Sequence, residues 1–523
     1  MKHQAKFLLE KAIFFLSQSN YDSALIYLNQ ANTIEKDNPV IQRHLAACLF
    51  FKNEFIPAVK ILDNLIKLQP KNYLLLINKA NILQSLNQYD ESIKLYERAI
   101  EIEPNCWESW TNKGNAFTNV GNFNAAIQCH NKALKIKPEN AIVHLNIAIT
   151  LYENNKHEEA IKWIDSSILL NNKNDNAWNT KGKILAEIER AEEAIKCYYE
   201  AIKLNKSNAS AHENLAILYL SQGKYKQGWE EYEWRWKSIN FKSKNNSNNL
   251  PLWDGKNTGK ILIWAEQGIG EQILFAKYLS QLNTDDKKIY IQINNKLIKI
   301  FKRSFPTISF IDDAENIQKL ELNYQVPIGS LPFVLQDNPK NLENNEPYLV
   351  PNKEQIKLYK AKLFQEGYKI CGISLKSTNQ RYGVYKNIDV EIILKKLSNL
   401  KLRFINLDYA LSNDEIENIY NKYHVKIENI QDVDLFNDLD ALLSLASACD
   451  FTITASNTCA HLIGASGLNT YLMTPNLKGK FWYWTKKLDR INWYKKTVLL
   501  SQTKDGKWDE ALDFIVENLK KND

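Results

Sequence analysis

This sequence of 523 residues lacks paired cysteines, long apolar runs and an excess of one charge. Its seven cysteines are an odd number, lie far apart and include no C-x-x-C pair, so neither a disulfide framework nor a zinc site is indicated. No stretch reaches the roughly 18 uninterrupted apolar residues that a membrane-spanning helix needs. The formal net charge of +7, from 67 basic and 60 acidic residues, is small and gives no argument for nucleic acid as a partner.

The rest of the composition is that of an ordinary globular protein, with 44% hydrophobic and 24% charged residues. The N-terminal segment has a basic start and an apolar patch, but Glu10 and Lys11 interrupt the patch and no small-residue cleavage site follows. We therefore expect a cytoplasmic protein with reduced, buried thiols and without a membrane span. Its length suits about three domains of ordinary size.

A repeat of about 34 residues runs through residues 1–238. Its clearest copy, WESWTNKGNAFTNVGNFNAAIQCHNKALKIKPEN, begins at Trp107. In that copy Gly114 and Ala126 are small where two antiparallel helices pack closest, and Pro138 ends the second helix. The pattern resembles the tetratricopeptide repeat family in about seven copies and predicts an all-α superhelix.

A superhelix of this kind has a concave groove, which implies a protein or peptide partner. The alternative is an array that only scaffolds or dimerises the molecule. Histidines within the repeats form no ligand cluster, so we expect them to pack or to face solvent. At the end of the repeats, the dense aromatic patch of Trp229, Tyr232, Trp234 and Trp236 predicts a buried junction between domains. A polar Asn-rich segment predicts an exposed linker over residues 239–258.

From Lys260 onward, short apolar runs alternate with helical patterns, which predicts an α/β region made of two doubly wound halves. The first half covers residues 259–350 and the second half covers residues 351–523. A cleft between such halves suits a nucleotide-bearing ligand. Strands are expected at 260–265, 288–293, 308–312, 324–331, 369–375, 403–409, 425–430, 451–456 and 470–475.

The segment KILIWAEQGIGEQILF, which begins at Lys260, predicts a strand, a glycine turn and a helix. Gly268 and Gly270 let a ligand approach the backbone, where the helix N-terminus carries a partial positive charge. Glu271 lies at the start of this helix, next to a turn that contains Gln267, and is a candidate general base. Alternatively, Glu271 only stabilises the helix dipole.

Two further stretches place polar residues at strand ends. In CDFTITASNTCAHLIGASG a buried strand ends at Ser456, Asn457 and Thr458 are typical of a helix N-cap, and His461 follows in the first turn. This arrangement suits a diphosphate, although a capped core helix with a packed histidine has the same residue types.

In GISLKSTNQRYGVYKN a strand ends near Ser374, Lys376 and Ser377, and the next loop carries Arg381 and Lys386. Cations in that loop would neutralise phosphate oxygens. The alternative is that they are solvated loop charges, as most lysines are.

Taken in order, these motifs resemble the heptosyltransferase-like glycosyltransferases, glycosyltransferase family nine, in the form that follows a tetratricopeptide array. The motifs that carry the resemblance are YEWRW, WDG (Trp253–Gly255), EQGIGEQ (Glu266–Gln272), GISLKS (Gly372–Ser377), SNTCAHLIGASG (Ser456–Gly467), WYW (Trp482–Trp484) and NWYKKTVLLSQ (Asn492–Gln502). The resemblance implies a GT-B fold of two Rossmann-like halves. It also implies an inverting, metal-independent sugar transfer from a nucleotide-sugar, with the donor in the second half and the acceptor against the first.

The resemblance also assigns roles to the residues of the motifs. Glu271 would deprotonate the acceptor hydroxyl, at a position where relatives usually carry aspartate. Gln267, Gly268 and Gly270 would lie on the acceptor side. The residues implied to hold the donor phosphates, bind the nucleotide diphosphate and stabilise its departure are Ser374, Lys376, Ser377, Ser456, Asn457, Thr458 and His461.

The resemblance implies neither a cofactor nor a metal, and the absence of a D-x-D pair in a suitable loop agrees with a metal-free route. The leading hypothesis is a glycosyltransferase whose repeats recruit a protein acceptor or partner. A catalytically silent tetratricopeptide scaffold is the alternative from another class. A third hypothesis is a small-molecule or lipopolysaccharide acceptor that does not need the repeats.

Overall fold

The computed structural model describes residues 2–238, 241, 250–282, 287–311, 317–335, 346–378, 383–476, 481–484, 486–487, 490–491, 493–503 and 505–521. The chain forms two compact units, Met1–Ala211 and His212–Asp523. Within the described ranges, every helix is too short or too polar to cross a lipid bilayer.

The first unit consists of antiparallel helix pairs, one pair to each repeat. Its helices are α1 (Lys2–Ser17), α2 (Tyr21–Ile34), α3 (Pro39–Phe51), α4 (Phe55–Leu68), α5 (Tyr73–Ser85), α6 (Tyr89–Ile102), α7 (Trp107–Asn119), α8 (Phe123–Ile136), α9 (Ala141–Glu153), α10 (His157–Leu170), α11 (Asp175–Glu187) and α12 (Ala191–Leu204). Helix α13 (Ala209–Ser221) begins at the end of this unit, and α14 (Tyr225–Tyr232) lies wholly in the second unit.

The helices of a pair approach closely because one side of the contact is a small residue. A Cβ atom on Gly114 of α7 would lie 2.5 Å from the ring of His130 on α8. A Cβ atom on Gly182 of α11 would likewise lie 2.6 Å from the ring of Tyr198 on α12. At both places the glycine makes room for a large buried ring, as the sequence pattern predicts at Gly114.

The turn between the two helices of each repeat contains one residue with left-handed backbone. These residues recur every 34 positions, with φ between 56° and 78°, at Ser19, Asn53, Asn87, Gly121, Asn155, Glu189 and Gly223. Glycine and asparagine adopt this conformation at the least cost, which explains why they occupy five of the seven positions. The period of about 34 residues, in about seven copies, is confirmed.

The second unit contains two sheets in which every neighbouring pair of strands is parallel, and a separate two-stranded antiparallel ribbon. The strands of the first sheet are β1 (Gly259–Trp264), β2 (Lys287–Gln292), β3 (Ser309–Ile311) and β4 (Tyr324–Pro327). Those of the second sheet are β5 (Lys369–Ser374), β6 (Leu402–Asn406), β7 (Ile427–Glu428), β8 (Phe451–Ala455), β9 (Thr470–Thr474) and β12 (Thr497–Ser501). The ribbon pairs β10 (Lys486–Lys487) with β11 (Arg490–Ile491).

The strand order is β3-β2-β1-β4 in the first sheet and β12-β9-β8-β5-β6-β7 in the second. The α-helices of this region are α15 (Ile269–Ala276), α16 (Asn295–Ser304), α17 (Leu331–Val334), α18 (Lys353–Leu363), α19 (Gly383–Lys386), α20 (Val390–Leu397), α21 (Asn413–Tyr423), α22 (Leu439–Ser447), α23 (Thr458–Ala465) and α24 (Asp509–Lys521). Parallel sheets flanked by helices confirm the predicted α/β region after the repeats.

Helices from the two halves of the α/β region pack against each other and so bring the two sheets together. Helix α15 contacts α23, and α16 contacts α22. The second contact includes an ion pair in which Arg303 donates hydrogen bonds to both carboxylate oxygens of Asp440. These contacts place the carboxyl ends of strands from both sheets beside one another.

Candidate functional site

In each parallel sheet of the second unit the chain adds strands in one direction and then continues on the other side of the first strand. We call the place where this direction changes the reversal point of the sheet. In the first sheet the chain runs outward from β1 to β2 and β3, and then adds β4 on the other side of β1. In the second sheet it runs from β5 to β6 and β7, and then adds β8 on the other side of β5. Ligands of open α/β sheets bind beyond the carboxyl ends of the strands at such points.

A cavity of about 350 Å³ lies beyond the carboxyl ends of β5 and β8. Its walls come from the segments that follow β1, β5, β6 and β8, so both sheets contribute to it. The sequence-predicted site residues that line the cavity are Gly268, Gly270, Glu271, Ser374, Lys376, Ser377, Ser456, Asn457, Thr458 and His461. Gln267 is not among the lining residues, and its amide donates a 2.6 Å hydrogen bond to the hydroxyl of Tyr232.

Glu271 lies in the first turn of α15 and faces this cavity. The hydroxyl of Tyr483 donates a hydrogen bond of 3.4 Å to its Oε1 atom. A Cβ atom on Gly268 would lie 3.0 Å from its Oε2 atom, so the glycine leaves the carboxylate room beside the turn. The carboxylate therefore enters the cavity next to backbone that a ligand can approach.

Asn457 joins the two central strands of the second sheet. Its side-chain oxygen accepts a hydrogen bond from the Ala460 amide, 3.1 Å away, and so caps α23. Its Nδ2 atom donates to Ser374 Oγ at 2.9 Å and to the Lys376 carbonyl at 3.1 Å. Asn457 thus fixes the geometry of the cavity floor through its own hydrogen bonds.

Two other predicted donor-binding residues also have partners within the protein. The indole of Trp484 donates a 2.6 Å hydrogen bond to Ser456 Oγ. The ammonium of Lys376 forms an ion pair with Glu415, and its backbone amide donates to the Asp408 carboxylate at 2.6 Å. These contacts hold the loop after β5 in place at the edge of the cavity.

His461 is buried in the first turns of α23 between aromatic side chains. Its ring lies 4.6 Å from that of Trp484 and 5.2 Å from that of Tyr483, measured between centroids. Nδ1 is hydrogen-bonded to the hydroxyl of Tyr494 at 2.8 Å. Burial, reinforced by the charge of Lys386, lowers the pKa of His461 to about 3, so the ring is neutral at physiological pH.

Lys386, which the sequence analysis named with Arg381 as a loop cation, lines the cavity. It ends α19, and its side chain is 4% exposed. The ammonium lies over the ring of Phe481, 3.7 Å from the centroid. Burial lowers the pKa of Lys386 to about 8, against the opposing charge of Glu271. The other loop cation, Arg381, lies outside the described residues.

An aromatic pair that the sequence analysis missed forms another wall of the cavity. The rings of Tyr409 and Phe436 lie 4.8 Å apart between centroids, and both side chains are about half exposed, at 48% and 51%. Thr378 and Tyr409 share a 2.6 Å hydrogen bond, and the ammonium of Lys296 lies 3.5 Å from the centre of the Phe436 ring. No local motif marks these residues, because the pair joins segments that are distant in sequence.

The reversal point of the first sheet is filled by the side chain of Arg235. Its guanidinium donates to Glu266 Oε1 at 2.8 and 3.0 Å and to Ser330 Oγ at 2.6 Å. Arg235 is 2% exposed and Glu266 is 4% exposed. Burial raises the pKa of Glu266 despite the neighbouring guanidinium. Within the YEWRW sequence the buried residue is thus Arg235, and the aromatic side chains of Tyr232, Trp234 and Trp236 are half-buried.

Family models of the tetratricopeptide repeat match residues 73–106 and 107–140, and a TPR repeat model matches residues 182–223. The chain is similar to Protein FlbA of Caulobacter vibrioides, with 22% identity over a 436-residue alignment, and the match covers 72% of each protein.

Solved structures that match part of this chain include two repeat proteins. A tetratricopeptide repeat protein from Parabacteroides merdae has 15% identity and a TM-score of 0.40, over 46% of this chain and 94% of that one. YrrB, a TPR protein with an unusual peptide-binding site, has 22% identity and a TM-score of 0.25, over 34% of this chain and 90% of that one. From the matched family models, the chain contains tetratricopeptide repeats, which are typical of protein–protein interaction.

Proposed function

We propose that the second unit transfers a sugar from a nucleotide-sugar donor to an acceptor hydroxyl, with inversion at the anomeric carbon and without a metal ion. The observation that carries this proposal is the cavity itself. It joins the reversal point of the second sheet to the carboxylate of Glu271 from the first. A donor held over β5 and β8 would therefore meet a general base on the opposite wall.

The charge of the cavity supports a diphosphate as the bound group. The N-terminal turns of α15 and α23, each a helix of eight residues, line the cavity and turn the positive ends of their helix dipoles toward it. The ammonium of Lys386 adds a buried positive charge. Together they supply the donors and the charge that phosphate oxygens need.

In the proposed reaction Glu271 removes the proton of the acceptor hydroxyl. The acceptor oxygen then forms a bond to the anomeric carbon from the face opposite the leaving group. The bond between that carbon and the phosphate oxygen breaks, and its electron pair leaves with the nucleoside diphosphate. Lys386 and the amides of α23 stabilise the charge that develops on the leaving group. We place the nucleobase against the Tyr409 and Phe436 rings.

We propose that the repeats recruit a protein acceptor or partner, which brings its hydroxyl to the α/β region. A catalytically silent scaffold remains the second candidate, and one observation favours it. Five side chains predicted to bind the donor already have partners among the described residues: Asn457 and Ser374 with each other, Ser456 with Trp484, Lys376 with Glu415, and His461 with Tyr494.

A donor-hydrolysis assay on the full chain separates the two candidates. UDP-glucose, UDP-N-acetylglucosamine, GDP-mannose and ADP-glucose are incubated with the protein, with and without EDTA, and the released nucleoside diphosphate is measured. We expect release from one donor, unchanged by EDTA and abolished by Glu271→Gln.

Glu354→Gln is the matched control for that assay, because Glu354 is an exposed carboxylate on α18 and does not line the cavity. Release that disappears with EDTA would contradict the metal-free route. Binding of a nucleoside diphosphate without turnover of any donor would favour the scaffold, provided that turnover is also absent when the protein partner is present.

A further inference from the structure

Four consecutive aromatic residues, Phe481–Trp484, contact both charged groups of the proposed reaction. The ammonium of Lys386 lies over the ring of Phe481, 3.7 Å from its centroid. The hydroxyl of Tyr483 donates a hydrogen bond of 3.4 Å to the carboxylate of Glu271. We call Phe481–Trp484 the aromatic segment.

The residues of the aromatic segment are packed against one another and against the cavity floor. The rings of Phe481 and Tyr483 are stacked, with 5.1 Å between their centroids and 19° between their planes. Trp484 is fully buried, and its indole donates to Ser456 Oγ at 2.6 Å. Because the contacts are close, a displacement of one ring would displace its neighbours. The segment therefore sets the positions of the two charged groups together.

Trp482, the remaining residue of the aromatic segment, is not among the residues that line the cavity. Its ring meets that of Trp229 on α14 edge to face, with 5.4 Å between centroids and 82° between planes. Trp229 is 2% exposed, and its ring also contacts Phe275 of α15 at 6.1 Å. Helix α15 is the helix that carries Glu271. One side chain of α14 thus supports both the aromatic segment and the helix of the proposed base.

Helix α14 continues the repeat pattern in sequence but belongs to the core of the second unit. Gly223, just before α14, is the last of the left-handed residues that recur in the turns between paired repeat helices. Leu220, Tyr225 and Trp229 nevertheless share one hydrophobic cluster with buried residues of β1 and α15. The last helix of the repeat pattern is therefore built into the α/β region.

We infer that Trp229, on this last repeat helix, is a positioning residue for the proposed reaction, because it holds the aromatic segment that fixes Lys386 and Glu271. This inference rests on the proposed function. It gives α14 a part in the reaction that is separate from the recruitment of a partner by the repeats. Edge-to-face aromatic pairs have a preferred geometry, and a shift of about 1 Å at a reacting group can cost on the order of a hundredfold in rate.

The contact between Phe481 and Lys386 has a measurable consequence for the charge of the lysine. The face of an aromatic ring attracts a cation and so favours the charged form. Burial lowers the pKa of Lys386 to about 8, and the charge of Glu271 opposes that effect. Loss of the ring contact should lower this pKa further, so the ammonium would lose its proton at a lower pH. The other charged or titratable side chains that line the cavity are Lys296, Lys376, Asp408, Tyr409, Cys459, His461 and Tyr483.

Calorimetric titration of the full chain with UDP, GDP and ADP, at a series of pH values around 8, tests the inference. In the wild type, affinity should fall as the pH rises through the pKa of Lys386. In Phe481→Leu this fall should begin about 0.5 to 1 pH unit lower. Trp229→Leu and Trp482→Leu keep both Phe481 and Lys386 but loosen the aromatic segment, so they should move the fall in the same direction.

Trp508→Leu is the matched control for the tryptophan variants. Trp508 is 7% exposed, lies in the hydrophobic cluster of the second sheet and does not line the cavity. We expect a loss of stability in urea unfolding without a change in the pH dependence of binding. If Trp229→Leu does not fold, Trp482→Leu tests the same contact from its half-buried side.

The contact with the proposed base is tested by Tyr483→Phe in the donor-hydrolysis assay. Loss of the hydroxyl should lower the rate at saturating donor by about two- to tenfold, the size expected for one hydrogen bond, and leave nucleoside diphosphate affinity unchanged. An unchanged rate would overturn the part of the inference that concerns Glu271.

The binding results separate this inference from the proposed function. A pH dependence that Trp229→Leu and Trp482→Leu leave unchanged would overturn the positioning role of Trp229, and so would an equal shift in Trp508→Leu. Either result leaves the proposed function standing. Absence of binding by all three nucleotides to the wild-type protein would instead overturn the proposed function, and the positioning role with it.

Discussion

The two reversal points of the second unit have the same topology, but among the described residues a side chain fills one of them and a cavity lies at the other. Between β1 and β4 the space is filled by the guanidinium of Arg235, which binds Glu266 and Ser330. Between β5 and β8 the corresponding space opens into a cavity of about 350 Å³. Topology therefore indicates two candidate ligand sites, and side chains decide which of them is used.

The comparison also explains why the neighbouring carboxylates of Glu266 and Glu271 differ in their access to a ligand. Glu266 and Glu271 are five residues apart, on either side of the glycine turn. Glu266 forms a buried ion pair with Arg235. Glu271 faces the cavity and, among the described residues, accepts a hydrogen bond of 3.4 Å from Tyr483. A general base must be able to reach a substrate, so only Glu271 suits that role.

The largest effect on the rate of transfer is expected from Glu271→Gln, which removes the proposed general base at the cavity. Transfer should fall by about 10²- to 10⁴-fold, because a positioned general base contributes a factor of that size. Nucleoside diphosphate binding should remain. Glu271→Asp keeps the carboxylate and should retain part of the rate, measured as initial velocity with saturating donor. Full activity in Glu271→Gln would show that another group is the base.

Arg235→Met tests the reversal point of the first sheet, which the side chain of Arg235 fills. It leaves the Glu266 carboxylate buried without its cation, so we expect a loss of about 3–5 kcal/mol in the free energy of unfolding. Urea unfolding followed by far-UV circular dichroism measures it. The double variant Arg235→Met with Glu266→Gln should recover much of the loss. Equal destabilisation by the single and double variants would mean that the ion pair is not the cause.

Lys386→Met tests the buried cation on the open side. Nucleoside diphosphate affinity should fall by about ten- to a hundredfold, because a hydrogen bond to a charged group is lost. Since the pKa of Lys386 is lowered to about 8, the wild-type lysine loses its charge as the pH rises, and affinity should fall above pH 8.

Lys386→Arg is the control for the pH dependence. Arginine stays charged at every accessible pH, so this variant should bind with a much flatter pH profile above pH 8. Calorimetric titrations at a series of pH values measure both variants. A fall in affinity above pH 8 that persists in Lys386→Arg would assign the titration to another group.

Asn457→Ala gives the smallest expected effect and tests how the open site is held together. It removes the cap of α23 and the bonds to Ser374 and Lys376, so we expect a loss of about 1–2 kcal/mol in unfolding free energy. It should also weaken nucleoside diphosphate binding. Asn352→Ala, which removes a similar cap from α18, should cost about 1 kcal/mol without changing affinity.

Much of the fold could be predicted from the sequence because its signals are local. The repeat period depends on small residues and turns that recur within each copy, and each of the nine expected strands is present with shorter or shifted ends. Short apolar runs bounded by polar residues carry that information. The expected strand at 324–331 ends at Pro327, after which the chain turns into a short 3-10 helix, Ile328–Ser330.

The asparagines of the repeats have two structural roles, although their abundance in the sequence alone suggests no more than a compositional bias. Asn53, Asn87 and Asn155 adopt left-handed backbone at the same place in three copies. Other asparagines cap repeat helices by accepting hydrogen bonds from backbone amides, at Asn20, Asn38, Asn122, Asn140 and Asn174. Both roles follow from a short side chain that bonds to nearby backbone.

The candidate site was only partly predictable, because its contacts join distant segments. Strand ends and glycine turns place Glu271 and Ser374 at the carboxyl ends of strands in two different sheets. They do not show that Glu415 pairs with Lys376 or that Trp484 reaches Ser456. The wall formed by Tyr409 and Phe436, and the hydrogen bond between His461 and Tyr494, depend on packing between elements that no local pattern encodes.

The measurement that tests the central claim most directly is calorimetric titration of the full chain with UDP, GDP and ADP, in EDTA, for the wild type and Lys386→Met. If the open reversal point is the ligand site, one nucleotide should bind saturably to the wild type without a metal, and Lys386→Met should weaken it by at least tenfold. Absence of binding by all three, or binding that Lys386→Met leaves unchanged, would contradict the assignment of this cavity.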